Sequence, residues 1–183
     1  MRTAIFIERD GVLNHTASVG QSRITPRTVD ELVLNKTALK PLQLLKDAGF
    51  MLIATTNQPG IARGHIIRRE LDLMHLIIQK AFPLDDILMC LHDEADRCPC
   101  RKPNPGLFRE GAFKWQIDLD QSFVISDKWQ DAKTAQIAGC TSILLESPWN
   151  GTDHHDFVAP DLQTAAAKVL QLYSQKHFGC VSA

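Results

Sequence analysis

The sequence has no long hydrophobic run and no strong excess of charge of either sign. Its first apolar run covers only residues 4–7 before charged residues follow, which is shorter than the core of a secretory signal peptide. No stretch approaches the ~20 apolar residues that a membrane helix needs. The formal net charge is −1 at pH 7, so no broad attraction to nucleic acid or to an anionic membrane is expected. These features predict a cytoplasmic protein without a nucleic-acid or membrane partner.

Repeats, low-complexity tracts and linkers are also lacking, so we expect one domain over residues 1–183, with a tail from about residue 176. Apolar runs alternate with segments of helical period along the chain. The predicted strands are 3–8, 50–55, 86–90, 122–126 and 141–145, and the predicted helices are 37–48, 67–81, 105–116, 129–138 and 161–175. This alternation predicts an α/β fold with a doubly wound, mainly parallel sheet that is covered by helices on both faces.

Two carboxylates, Glu8 and Asp10, follow the first predicted strand, and Gly11 then allows the chain to turn. Residues i and i+2 of a strand point the same way, so the two acids should repel each other. A bound cation or a shared proton is the usual remedy for such a pair. From these residues alone, a charged and solvated loop start is an equally good interpretation.

Polar side chains near the ends of other predicted strands should meet this pair, because ligands of parallel sheets bind beyond the carboxyl ends of the strands. Thr56 and Asn57 can hold phosphate oxygens, although Thr-Asn is also common in turns. Arg101 and Lys102 precede a predicted helix, a favourable place for an anion, and a solvated surface loop is the alternative. Asp127 follows a later strand, and hard oxygen ligands from two strand ends suit Mg²⁺. A helix N-cap role for Asp127 is compatible with this.

Cysteine is concentrated in one segment, since three of the five cysteines fall within eleven residues, with a histidine between them. Without an export signal, such a cluster favours a metal over disulfides. Three thiolates and one imidazole suit a tetrahedral structural zinc ion, and free or oxidised thiols are the alternative. The predicted zinc ligands are Cys90, His92, Cys98 and Cys100. We expect the loop 90–100 to set the Arg-Lys pair that follows it against a substrate.

The motifs together carry a family resemblance. The strings are F-I-E-R-D-G-V-L-N (6–14), T-N-Q-P-G-I-A-R-G (56–64), C-x-H…C-x-C-R-K-P-x-P-G (90–106) and S-D-K-W-Q-D-A-x-x-A-x-x-A-G-C (126–140). In this order they resemble the haloacid dehalogenase superfamily of phosphotransferases. Within it, they look most like the small bacterial D-glycero-D-manno-heptose 1,7-bisphosphate phosphatases and the related histidinol-phosphate phosphatases. The resemblance covers residues 3–170 approximately.

The resemblance implies a Rossmann-like haloacid dehalogenase fold with a small zinc loop and no large cap domain. It also implies a monomeric, Mg²⁺-dependent phosphatase of a small phosphorylated sugar. The residue at position 8 would attack phosphorus and form an acyl-phosphate. Asp10 would protonate the leaving oxygen and then take a proton from water. The other implied roles are phosphoryl binding by Thr56 and Lys102, substrate contact by Asn57, Gln58, Arg101 and Lys102, Mg²⁺ binding by Glu8, Asp10 and Asp127, and support by Asp131.

The family has Asp at position 8, where this chain has Glu8. Glu is longer by one C–C bond, about 1.5 Å, and a misplacement of about 1 Å at a reacting centre can cost roughly a hundredfold in rate. Three interpretations follow. Glu8 acts as a displaced nucleophile, or Glu8 only holds the metal ion and orients water for direct attack. In the third interpretation, the domain binds a phosphorylated ligand without turnover. The first hypothesis is a phosphatase, and the alternative is a catalytically impaired phosphate-binding or interaction domain.

Four further residues are candidates without an assigned role. Arg63 lies beyond a predicted strand and is a candidate contact for a second phosphate. His15 follows the acidic strand end and is a candidate substrate contact. His154 and His155 are adjacent in a predicted loop, where solvated side chains are the alternative to a substrate contact.

Overall fold

The computed structural model describes residues 1–20, 22–151 and 153–178, without the side chains of residues 177 and 178. The strands are β1 (Ala4–Glu8), β2 (Ala17–Val19), β3 (Ser22–Ile24), β4 (Met51–Asn57), β5 (Asp86–Cys90), β6 (Phe123–Ser126), β7 (Thr141–Leu145) and β8 (Phe157–Ala159). The helices are α1 (Leu39–Asp47), α2 (Arg68–Ala81), α3 (Gly106–Trp115), α4 (Trp129–Ala138) and α5 (Leu162–Phe178). The predicted tail is helical up to residue 178, and its remainder lies outside the described residues.

Six strands form one sheet in the order β5-β4-β1-β6-β7-β8, and all neighbouring pairs are parallel. The predicted parallel architecture is therefore confirmed. The chain runs outward from β1 through β4 to β5 and then returns to β6 on the other side of β1. Such a reversal of strand order opens a crevice at the carboxyl ends of the strands, where ligands of α/β proteins bind.

Side chains of β1 alternate between two apolar layers, as expected for a sheet covered on both faces. Ile5 and Ile7 pack in one layer, which includes residues of α1 and α5. Ala4 and Phe6 pack in the other layer, which includes residues of α3 and α4. The Phe6 and Phe108 rings stack with their centroids 4.4 Å apart. This double burial explains why β1 is apolar along its length until Glu8.

Several elements differ from the predicted ones. β4 ends at Asn57, two residues beyond the predicted 50–55, because Thr56 and Asn57 still pair with β5. The hairpin of β2 and β3 was not predicted, because each strand has three mostly exposed residues and no apolar alternation. The short edge strand β8 was also missed. In the described parts of the chain, no helix has the length and apolar character of a membrane span.

Candidate active site and metal cluster

The carboxyl ends of β1, β4 and β6 meet at one edge of the sheet, as the sequence predicts. This edge gathers Glu8, Asp10, Thr56, Asn57, Lys102 and Asp127. A pocket of about 920 Å³ opens over it and is lined by both Glu8 and Lys102. Glu8 and Asp10 are each 1% exposed, so their charges are held by protein groups rather than by bulk water.

The Glu8 carboxylate lies between two lysines. Lys102 Nζ donates to Glu8 Oε2 and also to Asp131 Oδ1 at 2.5 Å. Lys128 Nζ lies 3.1 Å from Glu8 Oε1. Burial on its own would raise the pKa of Glu8, but the two ammonium groups outweigh burial and lower that pKa below its usual value. Glu8 is therefore ionised at neutral pH. Sequence analysis did not identify Lys128, which is within the matched motif at a position to which the resemblance assigned no role.

The buried Lys102 ammonium is held in its charged form. Burial disfavours this charge, but Asp131 and Glu8 more than compensate and raise the pKa of Lys102. Burial and the neighbouring Glu8 charge raise the pKa of the Asp131 carboxyl to about 6, although Lys102 opposes that rise. These contacts are compatible with the predicted supporting role of Asp131, since its carboxylate helps to fix the Lys102 side chain.

Asp10 is bound by the fully buried Arg9 guanidinium. Arg9 Nη2 lies 2.9 Å and 3.1 Å from the two Asp10 oxygens, and Asn14 and Gln58 also donate to them. Burial would raise the pKa of Asp10, but the Arg9 charge dominates and lowers it to about 2. Asp10 is thus held as a carboxylate, which suits the predicted base role directly. The predicted acid role requires Asp10 to gain a proton.

His75 of α2 supports the Arg9 guanidinium from the other side. Its Nε2 atom lies 3.1 Å from Arg9 Nη1. Burial and the positive charge of Arg9 lower the pKa of His75 to about 4, so the ring is neutral at pH 7 and accepts this hydrogen bond. No motif marks His75 in the sequence, and only the packing of α2 against the site reveals its contact.

Arg23 of β3 joins two groups that the sequence assigned to Mg²⁺. Its Nη2 atom donates to the backbone carbonyl of Asp10 at 2.8 Å and to Asp127 Oδ2 at 2.7 Å. Nη1 donates to Asp127 Oδ1 at 3.1 Å. Gly11 permits this approach, because a Cβ there would lie 1.6 Å from Arg23 Nη2 and 2.2 Å from Asp127 Oδ2. The N-cap of α4 is Lys128, so the N-cap role considered for Asp127 is wrong.

The chemistry of this donor set fits a divalent cation. Carboxylate and carbonyl oxygens are the ligands that Mg²⁺ prefers. The Asp10 carbonyl and the Asp127 carboxylate converge on a single cationic group, the Arg23 guanidinium, so both face one space. The third predicted ligand, Glu8, shares this strand end with Asp10, whose backbone N–H lies 3.3 Å from Glu8 Oε1.

Two other predicted substrate contacts, Asn57 and Gln58, are engaged within the protein. The Asn57 side chain donates to the Lys102 carbonyl at 3.0 Å and accepts from the Lys102 N–H at 3.1 Å. Gln58 Nε2 donates to Asp10 Oδ2 and to Thr56 Oγ1, at 2.8 Å each. Asn57 therefore fixes the Lys102 backbone, and Gln58 orients Asp10. Both residues also line the pocket, and their substrate contacts stay a prediction.

The four predicted zinc ligands come together, with their donor atoms all within 4.8 Å of one another. The sulfur–sulfur distances are 3.3 to 3.5 Å, and His92 Nδ1 lies 3.3 Å from Cys100 Sγ. Burial and hydrogen bonds with the other two thiols raise the pKa of Cys100 to about 12. Three thiolates at this spacing would repel one another without a cation, and the donor set of three sulfurs and one nitrogen fits a tetrahedral metal ion.

The pocket walls are strongly basic. The basic residues that line it are Arg23, Arg27, Arg63, Arg97, Arg101, Lys102 and Lys128, and the acidic ones are Glu8, Glu94 and Asp131. Arg63 is paired with Asp93 at 2.5 Å. The sequence analysis had identified Lys102, Arg101 and Arg63 as candidate contacts for substrate phosphates. Arg27 and Arg97 belong to no motif and were not identified. When Asp127 and Asp93, which pair with Arg23 and Arg63, are included, seven basic groups face five acidic groups, and this excess favours an anionic ligand.

The histidine candidates lie elsewhere. His15 is exposed and lines a separate, smaller pocket. His154 is exposed, with a left-handed backbone at φ 75°. Neither His154 nor His155 lines the large pocket. Their predicted substrate contacts are therefore without support from the described geometry.

Comparison with known proteins identifies the family. A sequence model of HAD-hydrolase-like proteins matches residues 99–165. The chain is 30% identical over 179 residues to the D-glycero-β-D-manno-heptose-1,7-bisphosphate 7-phosphatase of Bordetella bronchiseptica, with 91% of this chain and 97% of that protein covered. This chain belongs to the same phosphatase family. The Helicobacter pylori enzyme of that name is 32% identical over 134 residues, covering 70% of this chain and 74% of that protein.

A solved structure supports the same assignment at the level of the fold. The crystal structure of the B. bronchiseptica D,D-heptose 1,7-bisphosphate phosphatase with magnesium and phosphate matches with a TM-score of 0.79 and 29% identity. The match covers 94% of this chain and 99% of that chain. The predicted haloacid dehalogenase resemblance is therefore confirmed. As a member of this phosphatase family, the chain is assigned to the phosphoric monoester hydrolases.

Proposed function

We propose that this phosphatase is Mg²⁺-dependent and hydrolyses a small sugar bisphosphate of the heptose 1,7-bisphosphate type, with Glu8 in the position of the nucleophile. One observation carries the proposal. The ionised Glu8 carboxylate lies between Lys102 and Lys128 at a pocket of about 920 Å³ with basic walls. A phosphate group entering this pocket meets a carboxylate nucleophile and the ammonium groups that can offset its charge.

The walls support a bisphosphate over a monophosphate of similar size. Arg101 and Arg97 line the same pocket as Glu8 and Lys102. A second phosphate on the substrate can bind such guanidinium groups by charge-assisted hydrogen bonds. Relatives that are about as long as this chain carry the name of a heptose 1,7-bisphosphate phosphatase, which agrees with this substrate class.

In the first step, a Glu8 oxygen attacks phosphorus while the bond from phosphorus to the sugar oxygen breaks. The products are a glutamyl acyl-phosphate and a sugar oxygen that takes a proton from Asp10. Because Arg9 holds Asp10 as a carboxylate, this step requires that Asp10 first gain a proton beside the incoming anionic substrate. In the second step, Asp10 accepts a proton from water, which attacks the acyl-phosphate, releases inorganic phosphate and restores Glu8.

Lys102 and Lys128 supply positive charge where the phosphoryl oxygens develop negative charge. Thr56, at the end of β4, is proposed as a further phosphoryl contact, with its hydroxyl oriented by Gln58. The proposed Mg²⁺ ligands are Glu8, the Asp10 carbonyl and Asp127, and a bound Mg²⁺ would polarise the phosphoryl group. Zinc in the cysteine cluster has a structural role in this proposal, because four protein ligands close its coordination shell.

A second candidate function has its own supporting observation. Lysines engage both oxygens of Glu8, and Arg23 ties Asp10 to Asp127, so the charges of the site are already satisfied within the protein. Such a site suits a phosphate-binding or interaction domain with little turnover. The longer Glu8 side chain is the feature that separates this alternative from the phosphatase.

The test is phosphate release from D-glycero-D-manno-heptose 1,7-bisphosphate with Mg²⁺, measured for the native chain, Glu8→Asp and Glu8→Gln. We expect turnover by the native chain and none by Glu8→Gln. Glu8→Asp should be faster, by about a hundredfold or less, because the shorter side chain restores the family's reach. If Glu8→Gln matches the native rate, Glu8 is not the nucleophile. If only Glu8→Asp is active, the binding alternative is the better account.

A further inference from the structure

Arg23 has no role in the proposed mechanism, yet its side chain directly contacts two of the predicted cation ligands. It belongs to β3 of the small hairpin outside the main sheet. Its side chain is 10% exposed, and its Nε atom is anchored at 2.9 Å on Thr16 Oγ1. The sequence offers no motif for this arginine, so the tertiary structure alone assigns it to the site.

The guanidinium lies where two oxygen donors converge. Arg23 Nη2 is 2.8 Å from the Asp10 carbonyl oxygen and 2.7 Å from Asp127 Oδ2. A metal ion bound by the same two oxygens would need the same lone pairs. Two positive groups cannot share this space, because their charges repel and their contacts with the oxygens overlap.

We propose that Arg23 is a protein cation that competes with the divalent ion for Asp10 and Asp127, so that the ion binds tightly only when the guanidinium moves to an anionic ligand. This inference rests on the Mg²⁺ site of the proposed function. It adds that ion binding at this site depends on the presence of an anionic ligand. Arg23 lines the pocket, where its released guanidinium meets a phosphate group of the substrate. The ion and the phosphorylated ligand therefore bind cooperatively.

Charge balance at the site supports this coupling. The acidic groups are Glu8, Asp10, Asp127 and Asp131, and the basic groups are Arg9, Arg23, Lys102 and Lys128. Four negative charges therefore face four positive charges. A divalent ion that entered beside Arg23 would leave two uncompensated positive charges, which is costly in a site screened from water. Arrival of a phosphate dianion removes that excess, and the Arg23 guanidinium then pairs with the phosphate instead of with the two ligand oxygens.

The position of Arg23 lets its side chain move without unpacking the hydrophobic core. The hairpin residues of β2 are exposed, and Ser22 and Ile24 beside Arg23 are exposed as well. None of them belongs to the apolar layers on either side of the sheet. A shift of this hairpin therefore disturbs little buried apolar surface, whereas Arg9 and Lys102 are fixed in the buried interior.

The experiment measures Mn²⁺ binding, as the metal alone, by electron paramagnetic resonance titration. The variants are the native chain, Arg23→Ala, Arg23→Gln and the matched control Arg27→Ala, which removes the same charge from the pocket wall without a contact to Asp10 or Asp127. We expect Arg23→Ala and Arg23→Gln to bind Mn²⁺ about tenfold tighter than the native chain, the scale of a lost charged hydrogen bond. Arg27→Ala should stay within about twofold.

Inorganic phosphate provides the second arm. Saturating phosphate should tighten Mn²⁺ binding to the native chain and should do so much less in Arg23→Ala. Equal or weaker Mn²⁺ binding by both Arg23 variants overturns the inference, and so does an Arg27→Ala effect of the same size. If the native chain binds Mn²⁺ and the Arg23 variants do not differ from it, only the competition fails. If no variant binds Mn²⁺, the proposed Mg²⁺ site fails as well.

Discussion

Lys102 and Glu8 form a buried ion pair although they are 94 positions apart in the sequence. The side chain of each is 1% exposed. Lys102 also holds Asp131, so one ammonium is shared by two carboxylates from separate elements of the fold. The chemistry of the site therefore depends on where the loop after the cysteine cluster is held.

Replacement of Lys102 by Met should destabilise the protein strongly. It leaves Glu8 and Asp131 with less compensation in a buried site, and such a loss costs about 3 kcal/mol or more in the free energy of unfolding. Lys114→Ala is the control, because its pair with Asp86 is half-exposed and is worth less than about 1 kcal/mol. Denaturant titration measures both. The double variant Lys102→Met with Glu8→Gln should lose less stability than Lys102→Met alone, because it removes one of the uncompensated charges. An equal or larger loss of stability in the double variant would contradict the ion-pair account.

Removal of the metal from the cysteine cluster should weaken ligand binding as well as stability. Arg101 and Lys102 directly follow Cys100, so a loop without its metal no longer fixes them at the pocket. We expect about one zinc ion per native chain by elemental analysis, and much less in Cys98→Ser. Cys140→Ser should keep its zinc, because Cys140 lies outside the cluster. Phosphate affinity that is unchanged in zinc-free protein would count against this role.

Asn57→Ala should lower kcat/KM clearly while it lowers stability only modestly. The Asn57 amide clamps the Lys102 backbone in both directions, and a small displacement of Lys102 misplaces its ammonium. We expect kcat/KM to fall by about tenfold or more, with a loss of about 1 kcal/mol in stability for each hydrogen bond removed. Asn57→Asp keeps the acceptor and loses the donor, so it should fall between Asn57→Ala and the native chain. Equal rates in all three would show that the clamp has no role.

The buried His75 should make stability depend on pH. Its pKa in the folded chain is about 4, below the ordinary 6.5, so the unfolded chain takes up a proton first as the pH falls. The stabilising contribution is fully present above 6.5 and is lost as the pH falls toward 4. Between about pH 7 and pH 5, the native chain should lose about 2 kcal/mol more than His75→Gln.

Denaturant titrations of both chains with saturating zinc make this comparison. The Gln side chain retains an acceptor for Arg9 but does not titrate, so other acid-sensitive groups cancel in the difference. Parallel losses of stability in the two chains would show that His75 does not titrate as proposed.

Much of the fold could be predicted because its signals are local. The apolar run of β1 reflects burial on both faces of the sheet, and the helix over 129–138 has the same bounds in the structure as in the prediction. The clustering of Cys90, His92, Cys98 and Cys100 was predicted from spacing alone, because eleven residues can bring four side chains together without help from distant elements. The β2–β3 hairpin carried no such signal, since its residues bury no apolar stripe that a pattern could reveal.

The sequence by itself determined which groups reach the edge of the sheet, because parallel strands deliver their carboxyl ends to one side. It determined the order of the motifs, the grouping of three cysteines and one histidine, and the unusual Glu8. Only the tertiary structure decided which charges meet there: Lys128 with Glu8, His75 with Arg9, and Arg23 with Asp127. The reason is physical. Each of these pairs joins separate elements across a space of a few ångströms, and electrostatic pairing depends on that distance and on burial rather than on any local pattern.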